Sequence, residues 1–147
     1  MMSGEANIPR GEATIVCGPP GGGKTYYVRE HANRGDVVVD LDVIGAALTV
    51  GAKPHAVPEH LLRFALAARD GVLRELRAPK GCPRAWVIGC LPSKRERNEL
   101  AQSLRAKIIM LAVNAEECIK RIQSDSSRDK SKDWKKLVRE WWENYQA

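Results

Sequence analysis

One octet in the chain, Gly18-Pro19-Pro20-Gly21-Gly22-Gly23-Lys24-Thr25, has residue types and spacing suited to a specific chemistry. It matches G-x-x-x-x-G-K-[ST] in full. The glycine run permits left-handed and extended turns that a Cβ resists. Successive backbone N–H groups can then point into one concavity and hold phosphate oxygens. A helix starting at Lys24 adds the positive partial charge of its N-terminus. Lys24 can reach the β- and γ-phosphates, and the Thr25 hydroxyl can ligate Mg²⁺, whose other ligands are mostly water and phosphate oxygen. The octet therefore points to a nucleoside triphosphate with magnesium. It does not say what the phosphate or its energy is used for. A glycine-rich turn with an accidental Lys-Thr is the alternative. The flanks, an apolar run before and a helical segment after, fit the phosphate cradle.

The rest of the chain supplies elements that can position this loop. Thr14–Cys17 suits a buried strand. Lys24 to about His31 can be helical, with Tyr27 and Val28 facing inward, and Asn33-Arg34-Gly35 ends it. Val37–Val39 reads as a second strand with Asp40-Leu41-Asp42 at its end, whereas Ala46–Pro58 carries no clear pattern. Glu59–Arg77 reads as a long helix with Leu62, Leu66, Val72, Leu73 and Leu76 inward, and Pro79–Pro83 as a turn. Ala85–Ile88 is a third strand, and Ser93 with Glu96 opens a further helix as a capping box. Ile108–Val113 is a fourth strand, and Asn114 with Glu117 caps the helix carrying Cys118, Ile119 and Ile122. Ser124–Asp133 is polar and reads as mobile. Trp134–Tyr145 reads as an amphipathic helix. Alternating strands and helices imply an α/β fold with a mainly parallel sheet covered on both faces.

Length and composition narrow the class. The 147 residues suit one domain with a real core, over 13–147, behind a loose leader at 1–12. No apolar run approaches the roughly 18 residues of a membrane span, and Met1–Glu12 is too polar for a signal peptide. Cys17, Cys82, Cys90 and Cys118 show no CxxC pairing, so reduced thiols are expected rather than a disulfide frame or a zinc site. These features point to a cytoplasmic protein. The net charge of +6 permits an acidic partner without requiring one.

With the Gly18–Thr25 loop and the Val37–Asp42 segment together, the chain resembles the P-loop kinase family over about residues 13–128. It is closest in style to polynucleotide-kinase-like and zeta-toxin-like members, and is similar to small ATP-binding proteins that phage genomes encode. The resemblance implies a three-layer P-loop NTPase fold with strand order 2-3-1-4. It implies ATP and Mg²⁺ as ligands, and a host cytoplasm if the protein is phage-encoded. It places the cofactor on Gly18, Pro19, Pro20, Gly21, Gly22, Gly23, Lys24 and Thr25. It puts the metal at Thr25 and Asp40, the general base at Asp42, and transition-state arginines at Arg121 and Arg128 on a lid at about 121–133. Asp40 also admits a Walker B reading, but only residues 25–39 separate it from Lys24, which suits a kinase acid better. Either aspartate can instead serve as a helix N-cap. Two departures stand out. The third strand ends in Gly89-Cys90 and offers no acid. Gly45 stands where some members carry an arginine for the acceptor phosphate.

Two basic sets, Arg63, Arg69, Arg74, Arg77, Lys80 and Arg84, and Lys94, Arg95, Arg97, Arg105 and Lys107, can follow a polynucleotide or simply be solvated. Trp134, Leu137, Val138, Trp141, Trp142 and Tyr145 share one helix face, to be packed on the sheet or a second subunit, or used to stack a base. His31, His55 and His60 have no metal-like spacing. The expected function is phosphoryl transfer from Mg-ATP to a hydroxyl, on a nucleic acid or nucleotide. The rivals are an ATPase or ATP-gated accessory protein acting on DNA, and a structural protein with a vestigial nucleotide site. A homo-oligomer fits either enzymatic case.

Overall fold

A computed structural model describes residues 11–78 and 81–147. Four parallel strands, β1 (Ala13–Cys17), β2 (Val37–Asp40), β3 (Ala85–Gly89) and β4 (Lys107–Met110), form one sheet in the order β2-β3-β1-β4. This is the expected 2-3-1-4 order. β1 is central and buried along its whole length, as a parallel strand covered on both faces must be.

Side-chain alternation along the strands divides the core. Ile15, Cys17, Val39 and Val87 pack with Leu73 and Leu76 of α3 (Leu62–Arg77) and Leu104 of α4 (Lys94–Leu104). Val16, Trp86 and Ile88 pack on the other face with Val28 of α1 (Lys24–His31). The result is three layers. A separate apolar cluster joins Cys118 and Ile122 of α5 (Ala115–Ser124) to Val138 of α6 (Trp134–Asn144). Two indole N–H groups fasten α6 over the sheet's C-terminal edge. Trp141 Nε1 donates to Cys90 O (2.8 Å) and Trp142 Nε1 to Val113 O (3.2 Å).

The caps form where expected. Ser93 Oγ accepts from Glu96 N, and Asn114 Oδ1 from Glu117 N. Several expectations change. A short helix, α2 (Leu41–Ala47), begins directly at the end of β2, with Asp40 as its N-cap. Gly45 is buried inside it, and a Cβ there would lie 3.2 Å from Val57 Cγ1 and 3.7 Å from Ala65 Cβ. The contact with α3 therefore holds a helix that residue propensity does not announce. The long helix starts as a 3₁₀ turn at Glu59–Leu61, and α3 buries Ala65, Leu73 and Leu76 while Leu62 and Val72 stay exposed. β4 ends at Met110, because a turn takes over, with Val113 N donating to Leu111 O. Of the segment read as mobile, Ser124 closes α5. The remainder is built from aspartate turns: Asp125 Oδ1 accepts from Ser127 N and Oγ, and Asp129 Oδ1 from Ser131 N and Oγ.

Residues 1–10 of the expected leader and Pro79–Lys80 of the expected turn lie outside the described residues. Gly11 and Glu12 are tied down, through Gly11 N to Cys82 O and Glu12 O from Ala85 N. Cys17 and Cys118 are buried, Cys90 is exposed, and all four thiols are free. No helix among the described residues is long and apolar enough to cross a membrane.

Candidate phosphate-transfer site

The glycine loop links β1 to α1 and takes the shape its spelling requires. Gly21 and Gly23 have φ of +76° and +85°, a region costly for residues with a Cβ. A Cβ at Gly21 would also meet Cys118 O at 2.8 Å, because the loop lies against α5. Gly22 N donates to Pro19 O (2.9 Å), closing the turn. Gly23 is the N-cap of α1 and supplies no side-chain acceptor, so the first N–H groups of α1 remain available to an anion. Lys24 Nζ donates to Gly18 O (3.0 Å) and Pro19 O (2.8 Å), which places its charge across the loop.

Two carboxylates stand at the C-terminal end of β2 in contrasting surroundings. Asp40 is 7% exposed. Its Oδ2 accepts from Thr25 Oγ1 (3.4 Å), and its Oδ1 caps α2 through Asp42 N (3.0 Å). Asp40 therefore caps α2 with one oxygen and meets the Thr25 hydroxyl with the other. Burial, and then the nearby charge of Asp42, raise the Asp40 carboxyl above its usual range. A buried carboxylate beside a hydroxyl gives two hard oxygen donors, which fits Mg²⁺ retaining water and phosphate ligands. Among the described residues no group of three or more His, Cys, Asp or Glu side chains could hold a metal ion by itself. Asp42, two residues on, has a side chain 55% exposed. His55 Nδ1 lies 3.5 Å from Asp42 Oδ2.

Asp40, Asp42, Lys24 and Thr25 line one cavity of about 730 Å³ with Cys90, Arg69, Arg128, Trp134 and Trp141. Arg128 is held by Asp125 (3.4 Å) and lies over the Trp134 ring, 4.6 Å from its centroid. Arg121 is placed differently. It bonds Glu117 (3.2 Å) and reaches Gly21 O (3.4 Å), so it lies against the rim of the glycine loop and does not line the cavity. Trp141 is 4% exposed and stacks on Tyr145 with centroids 4.9 Å apart, so its ring packs in the structure while one edge reaches the cavity.

Sequence patterns gave no role to His55, whose backbone oxygen also accepts from Asp129 N (3.2 Å) and whose ring meets Trp134 edge-on. Nothing in local spacing marks it, because Asp42 reaches it only through the chain reversal after α2. Arg69 belongs by sequence to the first basic set, yet it lines the cavity. The signal for it was present: it sits four residues from both Ala65 and Leu73 on the buried stripe of α3.

The two basic sets are interrupted as surfaces. Arg97 is 5% exposed and donates to Leu91 O, Pro92 O and Gln146 O. Arg84 pairs with Asp36, Arg95 with Glu99, and Lys107 with Glu12. Lys80 lies outside the described residues.

No protein-family model and no curated protein matches the sequence. Solved structures match in fold. A gluconokinase from Sinorhizobium meliloti 1021 aligns with TM-score 0.60 and 14% identity, over 95% of this chain and 77% of that one. A shikimate kinase from Acinetobacter baumannii, in complex with shikimate, aligns with TM-score 0.58 and 21% identity, over 94% and 76%. A chain of the Pnkp1/Rnl/Hen1 complex aligns with TM-score 0.50 and 17% identity, over 84% and 43%. At these identities the likeness is one of fold, and the fold is P-loop kinase-like.

Proposed function

We propose that this protein is an ATP-dependent phosphotransferase, moving the γ-phosphoryl group of Mg-ATP onto a hydroxyl, with a nucleotide or nucleic-acid end as the acceptor first considered. One observation carries the proposal: of two carboxylates beside the glycine loop, one is buried against Thr25 and the other is open to the cavity. Different surroundings suit different tasks. Asp40 with Thr25 would hold Mg²⁺, which when bound neutralises charge on the β- and γ-oxygens. Asp42 takes the acceptor's proton as its oxygen bonds to the γ-phosphorus. The bond to the β–γ bridging oxygen breaks, and ADP leaves. His55 faces the Asp42 carboxylate, with Nδ1 3.5 Å from Oδ2. Lys24 and the loop N–H groups meet the phosphate charge. Arg128 enters from the 125–133 turns, and Arg121 steadies the loop rim from α5. Closure of residues 121–133 as a lid would exclude the water that hydrolyses ATP.

The test is incubation with γ-labelled ATP and a panel of DNA, RNA, nucleosides, nucleotides, sugars and sugar acids. Label on an acceptor, with ADP formed in proportion, is the expected result. ADP released without labelled acceptor, and faster with polynucleotide, would establish the ATPase alternative instead.

A further inference from the structure

The cavity has more cationic character than the nucleotide requires, and the excess is on α3. Arg69 belongs to the stripe Ala65, Arg69, Leu73 and Leu76, whose other members are buried in the apolar interior. A charged residue there interrupts an otherwise core-facing row. Its Nε is buried without a hydrogen-bond partner, and its side chain makes no hydrogen bond or ion pair with another described residue. An unpaired, partly desolvated guanidinium is unfavourable for folding.

The surrounding charges do not compensate it. Of the four carboxylates lining the cavity, Asp40 is bonded by Thr25 and Asp42 N, Asp42 faces His55, Asp125 holds Ser127 and Arg128, and Glu140 faces Lys136. The other cavity cations are engaged: Lys24 by loop carbonyls, Arg128 by Asp125, and Lys132 over the Trp134 ring. Among the described residues Arg69 thus lacks a counter-ion, in the same cavity as Asp42. The close approach of Gly45 in α2 to Ala65, one turn before Arg69, draws that face of α3 toward the carboxylates.

We propose that the acceptor carries an oxyanion, a carboxylate or a phosphate, in addition to its reacting hydroxyl, and that Arg69 binds it. This rests on the phosphotransfer proposed above and narrows its acceptor class. A guanidinium in a partly desolvated wall binds an oxyanion through charge-assisted hydrogen bonds and fixes the orientation of its carrier. With the anion on Arg69, the hydroxyl is presented to Asp42 and the γ-phosphate.

The experiment uses the full chain and matched acceptor pairs: a sugar acid against the corresponding neutral sugar, and a nucleoside 3′-monophosphate against the nucleoside. The pair that responds separates the carboxylate source from the phosphate source. For that pair the wild type should favour the anionic member by 100-fold or more in kcat/KM. In Arg69→Gln that ratio should fall at least tenfold, with partial recovery in Arg69→Lys. Equal use of both members by the wild type, or an undiminished ratio in Arg69→Gln, overturns the proposal. A second arm does not depend on turnover. With the loop filled by a Mg-bound non-hydrolysable ATP analogue, inorganic phosphate and glycerate are titrated against tryptophan fluorescence. Saturable binding of one of them, weakened at least tenfold in Arg69→Gln, is expected. Equal binding by both proteins, or none by the wild type, overturns the anion site. Failure of every acceptor to take label, with this binding intact, rejects the phosphotransfer reading and leaves the anion site standing. Melting of Arg69→Gln at or above the wild-type temperature shows that the variant is folded.

Discussion

Replacing Trp141 by alanine should destabilise the fold without acting chiefly through nucleotide binding. The indole is 4% exposed, stacks on Tyr145 and meets Trp142 edge-on at 5.0 Å. Removal of a buried tryptophan side chain costs about 3–5 kcal/mol. Within that figure, the hydrogen bond to Cys90 O accounts for about 1 kcal/mol. The two aromatic contacts add about 0.5–1.5 kcal/mol each. One wall of the new void is the existing cavity, so water can enter and the cavity penalty is reduced. The lower part of the range, about 3–4 kcal/mol, is therefore expected. At roughly 2–4 °C per kcal/mol for a chain of this size, the melting temperature should fall by about 6–16 °C. Urea unfolding followed by circular dichroism measures the free-energy change and a thermal melt the shift in melting temperature, with Trp141→Phe as control. The control keeps most of the ring and loses the N–H donor, at about 1–2 kcal/mol. A Trp141→Ala midpoint within about 1 kcal/mol of wild type, with loss of the fluorescence response to nucleotide, would refute the packing argument and make Trp141 a base-stacking platform.

Lys24→Ala should weaken Mg-ATP binding at least tenfold, about 1.4 kcal/mol, and abolish ATP-dependent activity; unchanged affinity by calorimetry in a folded variant would rule out the loop assignment. Asp42→Asn should keep ATP affinity while transfer falls by roughly 100-fold or more, whereas Asp40→Asn should raise the Mg²⁺ concentration required; transfer surviving Asp42→Asn within a few-fold removes it as the base. Asp36 Oδ2 accepts from Asn33 N, Trp86 Nε1 and Arg84 Nε, which hold its carboxyl below the usual range. A folded-state pKa lowered in this way contributes stability above the unfolded value of about 3.9 and loses it as pH falls through the folded value. Part of the wild type's loss of stability below about pH 4 should therefore be missing in Asp36→Asn, as denaturant midpoints at several pH values would show. Maleimide at pH 7.5 should label Cys90 first and leave Cys17, whose thiol burial pushes up to about 11, until the protein is unfolded; mass spectrometry after timed quenching would detect the reverse order.

What could be read in advance follows from how locally each feature is determined. The glycine loop was legible because a short backbone segment with left-handed residues admits few spellings, and the caps at Ser93 and Asn114 because a cap bonds within three residues. Helix α2 was not, because Gly45 is a poor helix residue and its reason, the approach of Val57 and Ala65, comes from later in the chain. On α3, Leu62 and Val72 outranked Ala65 by apolarity, yet the small side chain is the one that lets α2 approach. Arg97 looked like part of a basic surface. Its burial depends on the carbonyl of Gln146, at the far end of the chain, which no local pattern reveals. At the site, the position of Asp40 and Asp42 around the end of β2 was legible, whereas the approach of His55 to Asp42 depends on a loop without periodicity.

The central place of β1 has a consequence for how the protein is made. Ile15 finds its sheet neighbours at Val87 and Ile108, and β2, the next strand in sequence, pairs with β3 and leaves β1 untouched. A chain leaving the ribosome therefore carries the glycine loop without the sheet that shapes it until residues 85–110 have emerged. No two-strand intermediate can form from β1 and β2 alone, and contacts so distant in sequence are slow to close. The apolar strand Thr14–Cys17 waits unpaired until β3 emerges, and its second edge until β4 does, an interval in which it is open to chaperones and to self-association. The glycine loop thus gains its full sheet support only when β4 closes beside β1.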